Sequence, residues 1–306
     1  MRIAIVGAGG VGGYLAARLA AAGQDVALIA RGAHLDALRA QGLTLKSALG
    51  DVTVRPRVAS ADPATIGPVD VVVFAVKLYD TATAAETIRP LIGPKTGVIT
   101  FQNGVDGPRV LADVLGAPHV IGGVVQIAAV IEAPGVIRHT GRMARYIIGE
   151  LDGRRSERIE AFAGALRAAG VEHAVSDGIG REIWQKMIFL STFSGVTTLI
   201  RLPIGPIRSD PETFALLGTC LDEATALARA KGVGIGDDHI ERALAFLGTL
   251  PDQMKSSMLQ DLERGRRLEL PWLSGAIVRM GRELGIDTPG HRFIVTALKL
   301  HADGRI

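Results

Sequence analysis

The stretch Arg2-Ile3-Ala4-Ile5-Val6-Gly7-Ala8-Gly9-Gly10-Val11-Gly12 decides the fold. After Arg2, the run Ile3-Ala4-Ile5-Val6 is apolar and mostly β-branched, the composition of a central strand in a parallel sheet. The next six form a G-x-G-x-x-G turn, and residues 14–20 (Tyr-Leu-Ala-Ala-Arg-Leu-Ala) read as helix. Each glycine of the pattern has a mechanical reason. Gly7 permits a tight turn, Gly9 lets the backbone approach a pyrophosphate, and Gly12 lets helix and strand pack closely. The helix then offers free N–H groups and a positive dipole end to phosphate. Glycine is abundant, 38 of 306 residues, so the spacing alone is weak evidence. Strand before and helix after make it specific for a dinucleotide, held by Gly7, Ala8, Gly9, Gly10, Val11 and Gly12.

Working outward, Gly23 ends the helix and residues 25–30 (DVALIA) form a second strand. Where an acid would bind a ribose 2′-hydroxyl, the chain carries Ile29-Ala30-Arg31, and no carboxylate follows before Asp36. An acid would repel a 2′-phosphate, whereas the Arg31 fork of donors can pair with it. The expected cofactor is therefore NADP(H). Residues 69–76 read as a buried parallel strand ending at Lys77, which puts an ammonium at the carboxyl edge of the sheet, where open α/β folds bind ligands. Residues 97–101 form another strand, ending in Gln102-Asn103-Gly104. Lys77 and Asn103 are thus candidates for the nicotinamide half, against the plainer readings of a solvated lysine and a turn asparagine.

Composition narrows the class. The chain is 48% hydrophobic and 21% charged, with a net charge of +3 and no clustered basic stripe, so neither a nucleic-acid partner nor a membrane partner is expected. No apolar run of 18 residues occurs; residues 120–137 are interrupted by Gln126, Glu132 and Pro134. The first residues lack the features of a signal peptide, and the cytoplasm is the expected location. One cysteine, Cys220, excludes an internal disulfide and reads as buried filler. Seven histidines are dispersed with no ligand-spaced pair, so no metal is expected.

From residue 119 to 151 the pattern is β, then a helix over 156–169 and a strand over 171–175 complete an alternating layer. After Asp177-Gly178 only helical patterns follow: 179–199, 210–231, 237–247, 252–264, 270–284 and 289–300. Asp210-Pro211 and Thr288-Pro289 give start signals, and Gly232 and Gly285 give stops. The fold class is α/β: a Rossmann-type dinucleotide-binding domain over residues 1–177 and an all-helical substrate and catalytic domain over 178–306. The cleft between two such domains is the default site. In the long helix, Lys186 is the last charge before Arg201, and Leu190, Ser194 and Thr197 follow on its face. A lysine among apolar residues either snorkels to solvent or has a desolvated role, such as giving a proton to the oxygen of a ketone under reduction.

Gly7–Gly12, Val76-Lys77, Gln102-Asn103-Gly104, Trp184-x-Lys186 and Ser256-Ser257-Met258-Leu259-Gln260-Asp261, with Glu269 twelve residues after Ser257, together resemble the 2-dehydropantoate 2-reductase (ketopantoate reductase) family. The resemblance spans nearly the whole chain. It implies that the glycine turn, Lys77, Asn103 and Ala128 hold the cofactor, with Arg31 near the adenosine phosphate. It also implies that Lys186 and Glu269 are catalytic, and that Lys186, Ser194 and Ser257 contact substrate. The chain departs from the family pattern at Leu190, Ser194 and Ile204, where asparagines stand in the pattern, and at Pro271 and Ser274. The expected function is NADPH-dependent reduction of a 2-keto acid, 2-dehydropantoate to pantoate in pantothenate biosynthesis. The alternatives are a reductase of a more apolar keto substrate and a non-catalytic NADP(H)-binding sensor. The partner is a small keto acid, and a homodimer is left open.

Overall fold

The computed structural model describes Met1–Arg305; Ile306, the last residue of the expected helical domain, lies outside the described residues. The chain divides into two compact units. The first is Met1–Gln102 with Asp106–Ile179, and the second is Asn103–Val105 with the chain from Gly180 onward.

The first unit is built on one sheet. Its strands are β1 (Arg2–Val6), β2 (Asp25–Ile29), β3 (Leu43–Ser47), β4 (Val52–Val54), β5 (Val58–Ser60), β6 (Val71–Phe74), β7 (Gly97–Thr100), β8 (Val120–Ala133), β9 (Val136–Glu150) and β10 (Glu172–Val175). Neighbours run β4-β3-β9-β8-β7-β6-β1-β2-β5, with β10 on β9. The segment β5-β2-β1-β6-β7-β8 is parallel throughout. That is the dinucleotide-binding strand order, which brings the order reversal to β1 and β6. Successive residues of these strands enter opposite cores. Ile3, Ile5, Val71 and Val73 join one cluster, with Tyr14, Leu15 and Phe162, whereas Ala4, Val6, Val72 and Phe74 join the other, with Ile88, Leu91 and Leu111. A strand covered on both faces must be apolar at every position, which is why these runs show no alternation. The covering helices are α1 (Gly10–Ala21), α2 (Gly32–Gln41), α3 (Thr81–Thr87), α4 (Gly107–Leu115) and α5 (Glu157–Ala168).

The alternating layer expected up to residue 175 does not run on directly from β8 to β9, although β9, α5 and β10 resume it, with β10 parallel to β9. Instead β8 and β9 form a long antiparallel hairpin around Pro134-Gly135, where Gly135 takes a φ of +77°. The first half of β9 pairs with β3 and the last part with β10, so the sheet is mixed beyond its dinucleotide-binding segment. The strand over 69–76 is also shorter than its apolar run, spanning β6 alone. Three short elements have no sequence signal: β5, α3 and α4, of three, seven and nine residues.

The second unit is helical: α6 (Ile179–Ile200), α7 (Ile204–Ser209), α8 (Pro211–Ala230), α9 (His239–Thr249), α10 (Ser257–Glu263), α11 (Ser274–Leu284) and α12 (Pro289–Leu298). Met187, Ile188, Leu217, Leu221, Leu259 and Ile277 are among its fully buried apolar side chains. Two expected helices are shorter than their patterns. The Ser256 hydroxyl accepts the Leu259 N–H and starts α10 five residues later than expected. The run 270–284 breaks at Leu273 into a turn, Leu270–Trp272, and α11. The short α7 falls in the gap between the expected helices over 179–199 and 210–231. The carboxylate of the buried Glu223 on α8 accepts the Gly290 and His291 N–H groups at 2.7 and 3.0 Å, capping α12 from a neighbouring helix.

Candidate active site

In the first unit the segments before Lys77 and beside Ala128 pack against the turn between β1 and α1. Gly7 has a φ of +93°, and a Cβ there would lie 2.8 Å from the Ala75 carbonyl. The turn is thus pressed against the segment Ala75-Val76-Lys77 that follows β6. A Cβ on Gly12 would lie 2.2 Å from the Gly7 oxygen and 2.9 Å from Ile5 Cγ2, so strand and helix touch through this glycine. A Cβ on Gly9 would meet nothing within 4 Å. Gly9 caps α1 without any side-chain bond to the first-turn amides. Close contact behind the turn, open space in front and uncapped amides are what a diphosphate requires. The residues therefore fit a dinucleotide.

Gly10 has a tighter constraint that the motif does not predict: a Cβ there would lie 2.0 Å from the Ala129 carbonyl oxygen of β8. Register slips between Ile127 and Ala129, so the exposed Ala128 sits at an irregularity of the hairpin beside this contact. Arg31 is exposed and is the N-cap residue of α2, two residues beyond the end of β2. Lys77 is partly buried and leads into the turn Leu78–Asp80. Gln102 donates to the Val76 carbonyl at 3.1 Å and to Thr81 Oγ1 at 2.7 Å, and accepts from Thr100 Oγ1 at 3.2 Å. Its amide is thereby committed to holding the ends of β6 and β7.

In the second unit Asn103 Nδ2 donates to Glu269 Oε2 at 3.3 Å. Glu269 is 6% exposed and precedes the turn Leu270–Trp272. Lys186 lies on the second turn of α6. Removal from water pushes its ammonium down to about 8, and the Glu269 charge opposes part of that fall. An ammonium near 8 is still mostly protonated at neutral pH and releases its proton far more readily than an ordinary lysine. Three residues distant in sequence thus form one polar group.

Further along α6, Ser194 is buried, and Thr197 Oγ1 stands 2.6 Å from the Phe193 carbonyl and 2.8 Å from Ser256 Oγ. Ser256 is consumed by Thr197 and by capping α10, whereas Ser257 beside it is exposed. Ser274 donates to the Ser191 carbonyl, and Ile204 is fully buried, so neither offers a polar group. Sequence reasoning missed the committed amide of Gln102, the Gly10–Ala129 approach and His34, whose ring bonds the glycine turn. Their partners lie 21 to 119 residues away in sequence. Among the described residues, no group of three His, Cys, Asp or Glu could hold a metal ion, and no helix is long and apolar enough to cross a membrane.

Two family models match the chain: "Ketopantoate reductase PanE/ApbA" over residues 3–153 and "Ketopantoate reductase PanE/ApbA C terminal" over residues 179–302. A 2-dehydropantoate 2-reductase of Mesorhizobium japonicum is 38% identical, covering 94% of each chain. One from Halobacterium salinarum is 32% identical over 98% of each. The crystal structure of a PanE/ApbA family ketopantoate reductase from Ralstonia eutropha JMP134 superposes with a TM-score of 0.91 at 34% identity, covering 99% of this chain and 98% of that one.

Proposed function

The chain belongs to the ketopantoate reductase family, and on that premise we propose that it reduces 2-dehydropantoate to pantoate with NADPH, a step of pantothenate biosynthesis. The observation that carries the reading is the group Lys186, Glu269 and Asn103, with the lysine tuned toward neutrality by burial. Bound NADPH supplies the hydride that reaches the keto carbon. Gly7, Ala8, Gly9, Gly10, Val11 and Gly12 would hold its diphosphate through backbone N–H groups. Arg31 would pair with the 2′-phosphate, and Lys77, Asn103 and Ala128 would hold the nicotinamide half.

Lys186 gives its proton to the keto oxygen as negative charge develops there, and solvent restores it afterwards. The carboxylate of Glu269 keeps enough charge on the lysine for it to remain a donor at neutral pH, while burial keeps the proton labile. Ser257, exposed at the start of α10, and Ser194 on α6 supply hydroxyls for the substrate. Leu190 supports a second reading on the same chemistry, a more apolar keto acid, because it adds no hydrogen bond on the Lys186 face of α6. The cytoplasm is the location this reading carries, and sedimentation equilibrium tests whether the chain forms a homodimer.

The test is NADPH oxidation across a panel of branched and linear 2-keto acids. The expected result is highest kcat/KM with 2-dehydropantoate. Turnover with none of the panel, by a protein that still binds NADPH, would point to a sensor instead.

A further inference from the structure

His34 lies on the first turn of α2, half-buried, and the cofactor reading gives it no part. Its Nδ1 stands 3.0 Å from the Gly135 nitrogen, and its Nε2 stands 2.8 Å from the Ala8 carbonyl oxygen. A backbone N–H can only donate, so Nδ1 must be the accepting nitrogen and the ring proton must sit on Nε2, where it donates to Ala8. The two partners belong to different parts of the first unit: Ala8 to the glycine turn, Gly135 to the tip of the β8–β9 hairpin. The same hairpin presses the Ala129 carbonyl against Gly10 and the Ile137 side chain against Gly13. The turn is therefore clamped by one hairpin at three places, and His34 is the polar one.

We propose that His34 is a positioning residue for dinucleotide binding: as the neutral Nε2–H tautomer it fixes the Ala8–Gly9 peptide, and through it the direction of the Gly9 N–H. A trans peptide is planar, with its C=O and N–H pointing to opposite sides. Holding the Ala8 oxygen against α2 therefore aims the Gly9 N–H away from α2, on the residue whose Cβ position is open. The inference rests on the proposed cofactor reading.

It requires a neutral ring, and burial, only partly offset by the Ala8 bond, keeps the His34 pKa below its ordinary 6.5. The neighbouring elements carry Arg31 and Asp36 on α2, Arg18 on α1, and Glu132 and Arg138 on the hairpin. Arg18 bonds the Gly50 carbonyl, Glu132 pairs with Arg138 and Lys46, and none of these contributes to the His34 shift. Protonation would put an N–H opposite the Gly135 N–H and release the clamp. Because the folded pKa is lowered, the clamp is intact above 6.5 and is lost as pH falls through the folded value.

The experiment measures NADP+ dissociation constants by calorimetry for the wild type, His34→Ala and His34→Gln, alongside thermal unfolding and kcat. Glutamine's Nε2 reaches as far as the imidazole Nε2 and keeps the donor to Ala8. The expected result is a loss of roughly three- to tenfold for His34→Ala, the worth of one neutral hydrogen bond, with kcat at saturating cofactor unchanged and binding restored within twofold in His34→Gln. Unaltered binding by His34→Ala with a lowered Tm would leave only a structural role and overturn the proposal, as would His34→Gln binding no better than His34→Ala. Should neither variant fold, the wild type decides. Its NADP+ affinity over pH 7.5–5, corrected for the titration of the free cofactor's 2′-phosphate, should show a step at the pH where the His34 ring nitrogens titrate by NMR. A step elsewhere, or none, overturns the proposal. A folded wild type that binds no NADP+ at all refutes the cofactor reading itself, and the His34 inference with it.

Discussion

The candidate sites of the two units are built by opposite means. In the first, the candidate site is main chain: a turn whose glycines are dictated by the Ala75 carbonyl behind Gly7, the Gly7 carbonyl behind Gly12 and the Ala129 carbonyl behind Gly10. In the second it is side chain: Lys186 from α6, Glu269 from the turn before α11 and Asn103 from the residue after Gln102. A backbone site tolerates many side chains but no added Cβ. A side-chain site tolerates backbone neighbours but not the loss of a functional group. The difference sets how each unit should fail.

The largest effect belongs to the second unit. Lys186→Ala removes the proton donor and should lower kcat by ~10²–10⁴, while the NADPH dissociation constant stays within a few-fold. Turnover within tenfold of wild type would return Lys186 to a snorkelling role. The pH profile sharpens the point. Since the protonated form is the donor and its pKa lies at about 8, kcat/KM should hold below pH 7 and fall by about tenfold per unit above pH 8. A profile flat to pH 10 would contradict the assignment.

Next comes a side-chain assignment in the first unit. Arg31→Ala should reduce the preference for NADPH over NADH by roughly ten- to hundredfold, the range for a charge-assisted contact. Equal affinities in the wild type, or an undiminished preference in the variant, would show that Arg31 is misassigned.

The glycines then separate structural from binding roles within one turn. Gly12→Ala should cost ~1–3 kcal/mol of stability by overpacking against Gly7 and Ile5, read as a Tm lower by several degrees. Gly9→Ala, with open space around its Cβ and an extended φ of −74°, should leave Tm unchanged and weaken NADPH instead. If both alter only Tm, the turn has no ligand in front of it.

The smallest effect is at Leu190. Leu190→Asn should raise kcat/KM for 2-dehydropantoate over a keto acid lacking its hydroxyl by about fivefold, the worth of a single neutral hydrogen bond. A wild type that already rejects hydroxyl-free keto acids a thousandfold would place the contact on other residues.

The sequence by itself determined the α/β class, the glycine turn, the apolar strands β1, β2, β6 and β7, and the change to helices after residue 177. These follow from local rules: doubly covered strands are apolar throughout, and a tight turn against backbone needs glycine at fixed spacing. It also supplied Asn103 from a strand end and Lys186 from an apolar helix, and, through family motifs, Glu269 and Ser257. The tertiary structure alone decided that β8 and β9 turn back as a hairpin, since nothing in their apolar residues distinguishes parallel from antiparallel pairing. It alone decided that Ser256 is spent on Thr197 and a helix cap, that Gln102 is spent on Val76 and Thr81, and that His34 spans Ala8 and Gly135. The physical reason is range. A hydrogen bond between residues 26 to 101 positions apart leaves no periodicity in the chain, and desolvation of an ammonium such as that of Lys186 exists only once the surrounding helices have packed.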